Sequence, residues 1–411
     1  MTAWKTLEPS LMTQRAVNKL EAISYRTSRA PPEKTQLKLS IGDPTYDGNL
    51  VVPTSATEAF VRGVESNKYN GYQQAFGRLE AREAVAQYWG KKFAGDQVSH
   101  CKAENVILTC GVSEALLTVI TSLCDEGDNI LIPMPGFPSY DFICDLYKFE
   151  GRHYLCKVEK NWEIDFNHLR SLVDEKTKGI LITNPSNPCG SNFGRAHIKD
   201  IIRLCEELQL PLISDEIYAG LVFPGETFVS VAEFDTPVPR FILAGLSKTF
   251  MIPGWRCGWI LLMDTDNHAK EVQDGMRNLS TISLGPNSVV QGVLSDILNN
   301  TPASYFEQNI KEICNNATVF ASAIPQCHGL SCATPRGGMF IMVKINLDAF
   351  SDIKDDIAFY EMLEDEENVQ VIPGTFFQMP GYFRVVISRP KHIVEEVVGR
   401  LREFCSRHKK N

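Results

Sequence analysis

The middle of the chain alternates short apolar segments with amphipathic helical patterns, and this alternation restricts the possible folds strongly. Between the apolar segments, hydrophobic residues recur at helical spacing, as at Ile198, Ile201, Ile202, Cys205 and Leu208. The alternation predicts an α/β fold in which a mostly parallel sheet is flanked by helices. Five segments have the length and β-branched composition of strands buried on both faces: Val106–Thr109, Ile130–Ile132, Gly179–Thr183, Leu210–Ser214 and Phe241–Ala244.

The pattern changes after about residue 300. Gly338–Ile345, Val369–Ile372 and Tyr382–Ser388 have the character of strands, and an amphipathic helix follows them towards the C-terminus. We therefore expect a second, smaller α+β domain. The predicted division is an N-terminal arm with part of the small domain at residues 1–47, a large domain at 48–300, and a small C-terminal domain at 301–411.

Composition excludes several classes of function. The 411 residues include 41 Lys and Arg against 50 Asp and Glu, so the net charge of −9 argues against nucleic acid or an anionic membrane as a partner. The most apolar stretch, Val106–Cys124, is interrupted by Gly111 and Glu114, and the N-terminus has no apolar signal segment. The acidic run at residues 364–367 reads as a solvated helix end rather than a metal site.

The 12 cysteines are scattered singly, without a CxxC pair, so neither a zinc ribbon nor a dithiol redox motif is expected. We expect no bound metal. Reduced, buried cysteines are typical of a cytoplasmic protein. We therefore expect a cytoplasmic location, and an organellar form stays open.

Ligands of open parallel sheets bind beyond the carboxyl ends of the strands, so the residues after each strand carry the functional information. Cys110–Ser113 follows the first strand and begins a helix, where backbone N–H groups and a hydroxyl can hold a phosphate. An ordinary serine-capped turn has the same sequence. The next strand leads into the proline-rich loop Pro133–Tyr140, in which Phe137 and Tyr140 could stack on a planar ring or simply cover the core.

Three further strand ends carry polar side chains. The rigid turn at Ile182–Gly190 presents Asn184 and Asn187 as amide donors, although it could serve only as a turn. Asp215 ends an apolar strand, where a carboxylate is costly unless it meets a cation or hydrogen-bond donors. Lys248 lies just past the last strand, and an amine in a desolvated site is a nucleophile towards aldehydes.

Together these features are the parts needed to hold pyridoxal phosphate. They comprise a phosphate cradle, a stacking aromatic ring, an amide donor, a carboxylate for the pyridine nitrogen and a lysine for the aldehyde. A nicotinamide dehydrogenase is disfavoured, because no G-x-G-x-x-G sequence follows a predicted strand.

Motifs over nearly the whole chain resemble those of fold-type I pyridoxal phosphate enzymes of the class I aminotransferases, most closely the tyrosine aminotransferases. The motifs are IGDPT at Ile41–Thr45, NPSNPCG at Asn184–Gly190, DEIY at Asp215–Tyr218, SKTF at Ser247–Phe250, PGWR at Pro253–Arg256 and FRVVISRP at Phe383–Pro390. The resemblance implies that the large domain, residues 48–300, binds the cofactor. It also implies a homodimer with shared active sites.

The resemblance implies roles for individual residues in three groups. The catalytic residues would be Lys248, bound to the cofactor's aldehyde, Asp215 at the pyridine nitrogen, and Tyr218. Tyr218 and Asn187 would bond the 3′-oxygen of the ring, and Phe137 would stack on the ring. The phosphate would be held by Gly111, Val112, Ser113, Ser247 and Arg256, with Tyr72 reaching in from the neighbouring subunit. The substrate α-carboxylate would be held by Arg384, Asn187 and the backbone of Gly42.

The expected reaction is transfer of the amino group of an aromatic or large apolar L-amino acid, with tyrosine favoured, to a 2-oxo acid by ping-pong transamination. A C–S lyase using the same cofactor and a broad-specificity or alanine aminotransferase are alternatives. Arg389 could orient dicarboxylic substrates or form a structural ion pair. The sequence departs from many relatives at Gly245, where they have a hydroxyl residue that contacts the phosphate.

Overall fold

Strands and helices alternate along most of the chain in the computed structural model, which describes residues 4, 6–18, 20–24 and 26–410. The strands are β1 Leu37–Lys38, β2 Val106–Thr109, β3 Asn129–Met134, β4 Glu150–Lys157, β5 Glu163–Ile164, β6 Thr177–Thr183, β7 Leu212–Asp215, β8 Arg240–Gly245, β9 Gly258–Met263, β10 Leu330–Cys332, β11 Phe340–Ile345, β12 Val369–Gln370, β13 Ile372–Pro373 and β14 Tyr382–Val386. The α-helices are α1 Leu11–Arg15, α2 Glu21–Ser24, α3 Thr54–Glu65, α4 Leu79–Phe93, α5 Val112–Leu123, α6 Ser139–Tyr147, α7 Phe166–Ser171, α8 Arg195–Leu208, α9 Lys270–Leu279, α10 Ser288–Asn300, α11 Ala303–Ala323, α12 Asp356–Glu367 and α13 Lys391–Arg407.

The large sheet has the strand order β2-β9-β8-β7-β6-β3-β4-β5. Strands β8, β7, β6, β3 and β4 run parallel, which confirms the mostly parallel sheet that the sequence predicts. Strand β9 is antiparallel to both β2 and β8, and β5 is antiparallel to β4. Strand β9 was not among the strands expected from the sequence.

The central strands are mostly apolar because both faces of the sheet are buried. Leu181 of β6 and Ile213 of β7 pack with α5 in one hydrophobic cluster. Their neighbours Ile182 and Leu212 point to the opposite face and pack with α8 in the other cluster. Alternate residues of each strand therefore enter different cores, which removes the alternation of polar and apolar residues expected of a half-exposed strand.

The C-terminal part of the chain forms a second sheet, with the order β10-β11-β14-β13 and antiparallel pairing throughout. Helices α11 and α12 pack against α13 beside it. This arrangement confirms the predicted smaller α+β unit. Strand β1 pairs in parallel with β12, so the segment around residue 37 joins the C-terminal part. The domain limits at residues 47 and 300 stay predictions, and residues 1–3, 5, 19 and 25 of the predicted arm lie outside the described residues.

The acidic run at the end of α12 is not the solvated helix end that we expected. Glu364 and Glu367 are fully buried. Glu364 pairs with Arg26 at 2.9 Å, and Glu367 pairs with Lys34 at 2.6 Å and with Arg407 at 2.5 Å. Buried carboxylates are tolerated only with such partners, and here cations of the N-terminal segment and of α13 supply them. These pairs attach the N-terminal segment to the C-terminal unit.

Three glycines allow close contact between strands β8 and β9 and the start of α5. A Cβ atom on Gly258 would lie 2.7 Å from the backbone carbon of Gly111, and one on Gly245 would lie 2.8 Å from the Cα of Gly258. The carboxyl end of the sheet is therefore packed backbone against backbone. Among the described residues, no helix is both long enough and apolar enough to cross a lipid bilayer.

We expect Gly258→Ala to destabilise the protein, because its methyl group would meet the Gly111 backbone, which has little room to move. The expected loss is about 1–3 kcal/mol in the free energy of unfolding, as for other overpacked sites. Denaturant titration of both proteins measures it. Gly275→Ala in α9 is the matched control: its Cβ would meet nothing within 4 Å, so the variant should gain up to about 1 kcal/mol. Equal stability of the two variants would contradict the packing argument.

Candidate active site

A cavity of about 540 Å³ lies beyond the carboxyl ends of the parallel strands, between the large sheet and the C-terminal unit. Most of the residues that the sequence analysis singled out meet there. Twelve of them line the cavity: Gly42, Val112, Ser113, Phe137, Tyr140, Asn187, Asp215, Tyr218, Ser247, Lys248, Arg256 and Arg384. Gly111 lies directly against Arg256, and Tyr72 is 92% exposed and does not line the cavity of its own chain.

Lys248 reaches the cavity from the turn that follows β8. Its Nζ donates a hydrogen bond of 2.6 Å to the carbonyl oxygen of Gly42. The pKa of Lys248 is lowered to about 8, chiefly by burial; the positive charges of Arg384 and Arg256 contribute to this lowering, and the carboxylates of Asp43 and Asp215 oppose it. A sizeable fraction of this amine is therefore unprotonated near neutral pH, as a nucleophile or a base requires.

Asp215 is the last residue of β7 and is 3% exposed. Its Oδ2 accepts a hydrogen bond of 2.8 Å from the hydroxyl of Tyr140, and its Oδ1 accepts one of 3.3 Å from the backbone N–H of Ile217. Burial nevertheless raises the pKa of Asp215 to about 6, because these donors and the distant Lys248 only partly offset desolvation. The carboxyl group therefore favours a proton or a cation beside it.

Tyr140 has a role that the sequence analysis did not assign. We considered it a stacking or covering ring, but it is buried and its hydroxyl lies 2.8 Å from Asp215 and 2.7 Å from the Thr183 hydroxyl. Phe137 and Tyr140 both line the cavity, with their rings 5.8 Å apart in an edge-to-face arrangement. The hydrogen bond from Tyr140 to Asp215 joins residues 75 positions apart, so local sequence carries no signal for it.

One end of the cavity is built to receive an anion. Helix α5 begins at Val112, so its first N–H groups and its positive dipole end face the cavity with Ser113. The Arg256 guanidinium closes this end and is held by the carbonyl oxygens of Cys110, at 3.1 Å, and Pro253, at 2.8 Å. Gly111 has a φ of +79°, and an added Cβ would lie 2.3 Å from Arg256 Nη2. Only glycine leaves room for this arrangement.

Close backbone packing explains why glycine stands at residue 245, three positions before the lysine, where many relatives have a hydroxyl residue. A side chain at residue 245 would meet the carbonyl oxygen of Cys257 at 2.7 Å as well as the backbone of Gly258. Ser247, which lines the cavity, is the nearby hydroxyl available at this end.

Arg384 lies in β14 at the opposite side of the cavity and is 4% exposed. Its Nη1 donates to Asn187 Oδ1 at 3.1 Å, its Nη2 donates to the carbonyl oxygen of Ser40 at 2.7 Å, and its guanidinium packs on the rings of Phe340 and Phe377. Burial lowers the pKa of Arg384 to about 10. Its Nε is buried without a hydrogen-bond partner among the described residues. A buried guanidinium with an unsatisfied donor suits a carboxylate ligand.

Tyr218 follows Asp215 closely and lies in the same cavity. It is 3% exposed, and its ring packs edge-to-face on Phe340 at 5.7 Å. Burial, and secondly the charge of Asp215, raise the pKa of its hydroxyl well above the usual range, so it stays protonated and can donate a hydrogen bond.

Two side chains considered from the sequence point elsewhere. Asn184 Oδ1 accepts the N–H of Phe193 at 2.8 Å, so this amide braces its own turn, and only Asn187 of the two predicted donors lines the cavity. Arg389 is buried, pairs with Asp47 at 3.2 Å and packs on the Tyr46 ring. It therefore forms the structural ion pair that was one of the two interpretations.

The family profile described as "Aminotransferase class I and II" matches residues 34–401. The chain belongs to this aminotransferase family. A curated relative, "Tyrosine aminotransferase" of Mus musculus, is 38% identical over 409 residues, which cover 98% of this chain and 88% of the relative. The crystal structure of tyrosine aminotransferase from Leishmania infantum has a TM-score of 0.97 and 44% identity, covering 99% of this aminotransferase and 100% of that chain. Alanine aminotransferase from Pyrococcus furiosus has a TM-score of 0.86 and 28% identity, covering 91% and 93%.

These findings confirm the resemblance, the fold class and the aminotransferase activity expected from the sequence. The roles of individual residues stay predictions, supported by the geometry described above.

We expect Asp215 to destabilise the ligand-free aminotransferase near neutral pH. The folded protein keeps a proton on Asp215 up to about pH 6, whereas the unfolded chain releases it near pH 3.8. The stability that depends on this proton is therefore complete below about pH 4 and is lost as the pH rises through 6. Asp215→Asn has no carboxyl group to ionise, so it keeps this stability at every pH. The free energy of unfolding of the variant minus that of the natural protein should therefore rise by roughly 2–3 kcal/mol from pH 4 to 7.

Denaturant titrations of the two ligand-free proteins at several pH values measure this advantage. Other titrating groups, such as the buried Glu216, are common to both proteins and largely cancel in the difference. A difference that does not change with pH would contradict the perturbed pKa.

Proposed function

We propose that this aminotransferase uses pyridoxal phosphate to move the amino group of an aromatic or large apolar L-amino acid, with tyrosine favoured, to a 2-oxo acid. The observation that carries the proposal is the meeting of Lys248, Asp215 and Arg384 in one cavity. The amine has a lowered pKa, the carboxyl has a raised pKa, and the buried guanidinium has a free donor. Lys248 would suit the aldehyde of the cofactor, Asp215 its ring nitrogen, and Arg384 the α-carboxylate of the amino acid.

The residues present fit pyridoxal phosphate. The helix α5 N-terminus with Gly111, Val112 and Ser113, together with Ser247 and Arg256, would hold the phosphate. Asp215 would neutralise the protonated pyridine nitrogen, Asn187 and Tyr218 would bond the 3′-oxygen, and Phe137 would stack on the ring. When bound, the cofactor supplies an aldehyde that combines with amino groups and a protonated ring that accepts the electron pair released at the substrate's α-carbon.

The chain's own groups perform the remaining work. Arg384 binds the α-carboxylate of the amino acid through paired N–H donors, with Asn187 beside it and the Gly42 backbone at the same wall. Lys248 Nζ, once free, is the general base that takes the α-proton, because its lowered pKa lies close to physiological pH. Asp215 would keep a proton on the ring nitrogen, because a buried carboxylate is stabilised by a cation beside it.

The walls of the cavity support a neutral, largely apolar substrate side chain. Besides the polar groups already described, Leu20, Ile23, Ile41, Ile372 and Phe340 line it. Among the lining residues of the described chain, Lys248, Arg256 and Arg384 are the cations, and each already has a role. No lining cation of that set is left for a second carboxylate, which disfavours aspartate. The tyrosine aminotransferases among the relatives point to the same class of substrate.

We also propose a homodimer in which Tyr72 bonds the cofactor phosphate of the neighbouring subunit. Its side chain is 92% exposed, yet the loop that carries it is firmly held. Leu108 N–H donates to the Phe76 carbonyl at 3.0 Å, and the Arg82 guanidinium donates to Gly77 O at 3.0 Å and Gln74 Oε1 at 3.1 Å. An exposed phenol beside this held segment supports a role in another chain's site.

A cytoplasmic location completes the proposal. All 12 cysteines are free thiols, which suits a reducing compartment.

We expect L-tyrosine to bleach the absorption band of the cofactor-loaded enzyme and a 2-oxo acid to restore it. The kcat/KM for tyrosine should exceed that for aspartate by at least about 100-fold, because the cavity offers no second cation. Lys248→Ala should lower turnover by roughly 100-fold or more, since it removes the base. The surface variant Lys344→Ala is the control and should keep full activity.

Three results would overturn this assignment. Full turnover by Lys248→Ala would remove the lysine from the reaction. Ammonia release from cysteine conjugates without any 2-oxo acid would favour the C–S lyase. Equal use of alanine, aspartate and tyrosine would favour the broad-specificity alternative.

Mixed dimers test the shared site. Tyr72→Ala homodimers should bind pyridoxal phosphate about 10-fold more weakly, the loss of one charge-assisted hydrogen bond. Mixed dimers of Tyr72→Ala with Lys248→Ala chains should recover one site of natural affinity and activity, because the Lys248→Ala chain lends its Tyr72 to the intact lysine. Absence of recovery in isolated mixed dimers would show that Tyr72 does not act across subunits.

A further inference from the structure

We propose that Gln370 is a positioning residue that sets the affinity for the α-carboxylate of amino acid and 2-oxo acid without touching either one. The inference rests on the proposed function, since it takes Arg384 as the carboxylate-binding group. Gln370 ends strand β12, is 2% exposed and does not line the cavity. Its influence therefore has to pass through its neighbours.

The side-chain amide of Gln370 joins three separate parts of the chain. Its Oε1 accepts the hydroxyl of Ser40 at 2.5 Å, and its Nε2 donates to Glu364 Oε1 at 3.0 Å and to the carbonyl oxygen of Ile23 at 3.2 Å. If the amide were flipped, its oxygen would face two acceptors, the Ile23 carbonyl and the Glu364 carboxylate, and could bond neither. The contacts therefore allow only one orientation of the amide. All three contacts are buried, where a lost hydrogen bond is costly.

The contact with Ser40 reaches Arg384. The Ser40 carbonyl oxygen accepts Arg384 Nη2 at 2.7 Å, while Asn187 Oδ1 accepts Nη1 at 3.1 Å. These two acceptors hold the guanidinium in its plane between Phe340 and Phe377, and its Nε has no partner among the described residues. A shift of Ser40 would therefore rotate the guanidinium away from the orientation that receives a carboxylate.

The contact with Ile23 reaches the cavity wall. The Ile23 side chain lines the cavity and is 3% exposed, and its carbonyl oxygen is held by the same Gln370 amide. Glu364 anchors that amide from the other side and is itself fixed by Arg26 at 2.9 Å. One buried amide thus fixes both the acceptor of the substrate-binding arginine and an apolar wall of the same cavity.

A purely structural role for Gln370 would lower stability and leave ligand affinity unchanged, so affinity is the decisive measurement. The variant is Gln370→Met, which keeps the length of the side chain and removes the amide. The matched control is Gln36→Met, because Gln36 Nε2 bonds the same Glu364 oxygen, at 3.5 Å, in a partly buried position. None of the hydrogen bonds of the described residues joins the Gln36 side chain directly to Ser40 or Ile23, so its route to Ser40 passes through Glu364 and Gln370.

The cofactor-loaded enzymes are titrated with 3-phenylpropanoate, a carboxylate without an amino group, and binding is followed by the cofactor absorption. We expect Gln370→Met to raise the dissociation constant and the KM values for tyrosine and the 2-oxo acid about 10-fold, with kcat changed less than about 3-fold. Gln36→Met should stay within about 2-fold on every measure. Ser40→Ala, which removes only the hydroxyl bond to Gln370, should raise the dissociation constant by about 3-fold or more.

Unchanged affinity in Gln370→Met would overturn the inference, even if its melting temperature fell. Should that variant fail to fold, unchanged affinity in Ser40→Ala would overturn it equally. An effect of Gln36→Met as large as that of Gln370→Met would also overturn it, because the cause would then be Glu364 alone. Failure of the natural enzyme to transaminate tyrosine would instead contradict the proposed function, so the two failures are distinguishable.

Discussion

Desolvation of charged side chains at the carboxyl end of a parallel sheet is the constraint on which the site depends. Burial raises the pKa of Asp215 and lowers those of Lys248 and Arg384, so the charged form of each is disfavoured. These opposite pKa shifts in one cavity give a carboxyl group that binds a proton more readily, an amine that releases one more readily and a guanidinium that is stabilised by a bound anion. The protonated ring nitrogen and the aldehyde of the cofactor, and the carboxylate of the substrate, would relieve these costs at Asp215, Lys248 and Arg384.

The sheet can position such charged groups because its central strands are fixed by packing on both faces. Both faces of β6 and β7 are covered by helices, so these strands are rigid and end at a common edge. Close backbone packing of Gly245, Gly258 and Gly111 brings the start of α5 against that edge and leaves space for Arg256. The end of the cavity that would bind the phosphate is thus shaped by strand packing.

The opposite wall depends on contacts between distant segments. Buried ion pairs of Glu364 and Glu367 attach the N-terminal segment to α12, and the Gln370 amide extends this connection to Ser40 and thereby to Arg384. The side of the cavity that would bind substrate is therefore assembled from the two ends of the chain. The side that would bind the cofactor comes from its middle.

The sequence by itself determined the mostly parallel sheet, the apolar strands along the chain and the residues at their ends, because these follow from local periodicity and from the chemistry of single residues. Strand β2 and the site residues Lys248 and Asp215 were predicted in this way. The tertiary structure decided what periodicity does not encode: the antiparallel direction of β9, the burial of Glu364, the bond from Tyr140 to Asp215 and the position of Gln370. Each depends on partners from distant parts of the chain, and such partners are specified by packing and by the need to satisfy buried polar groups.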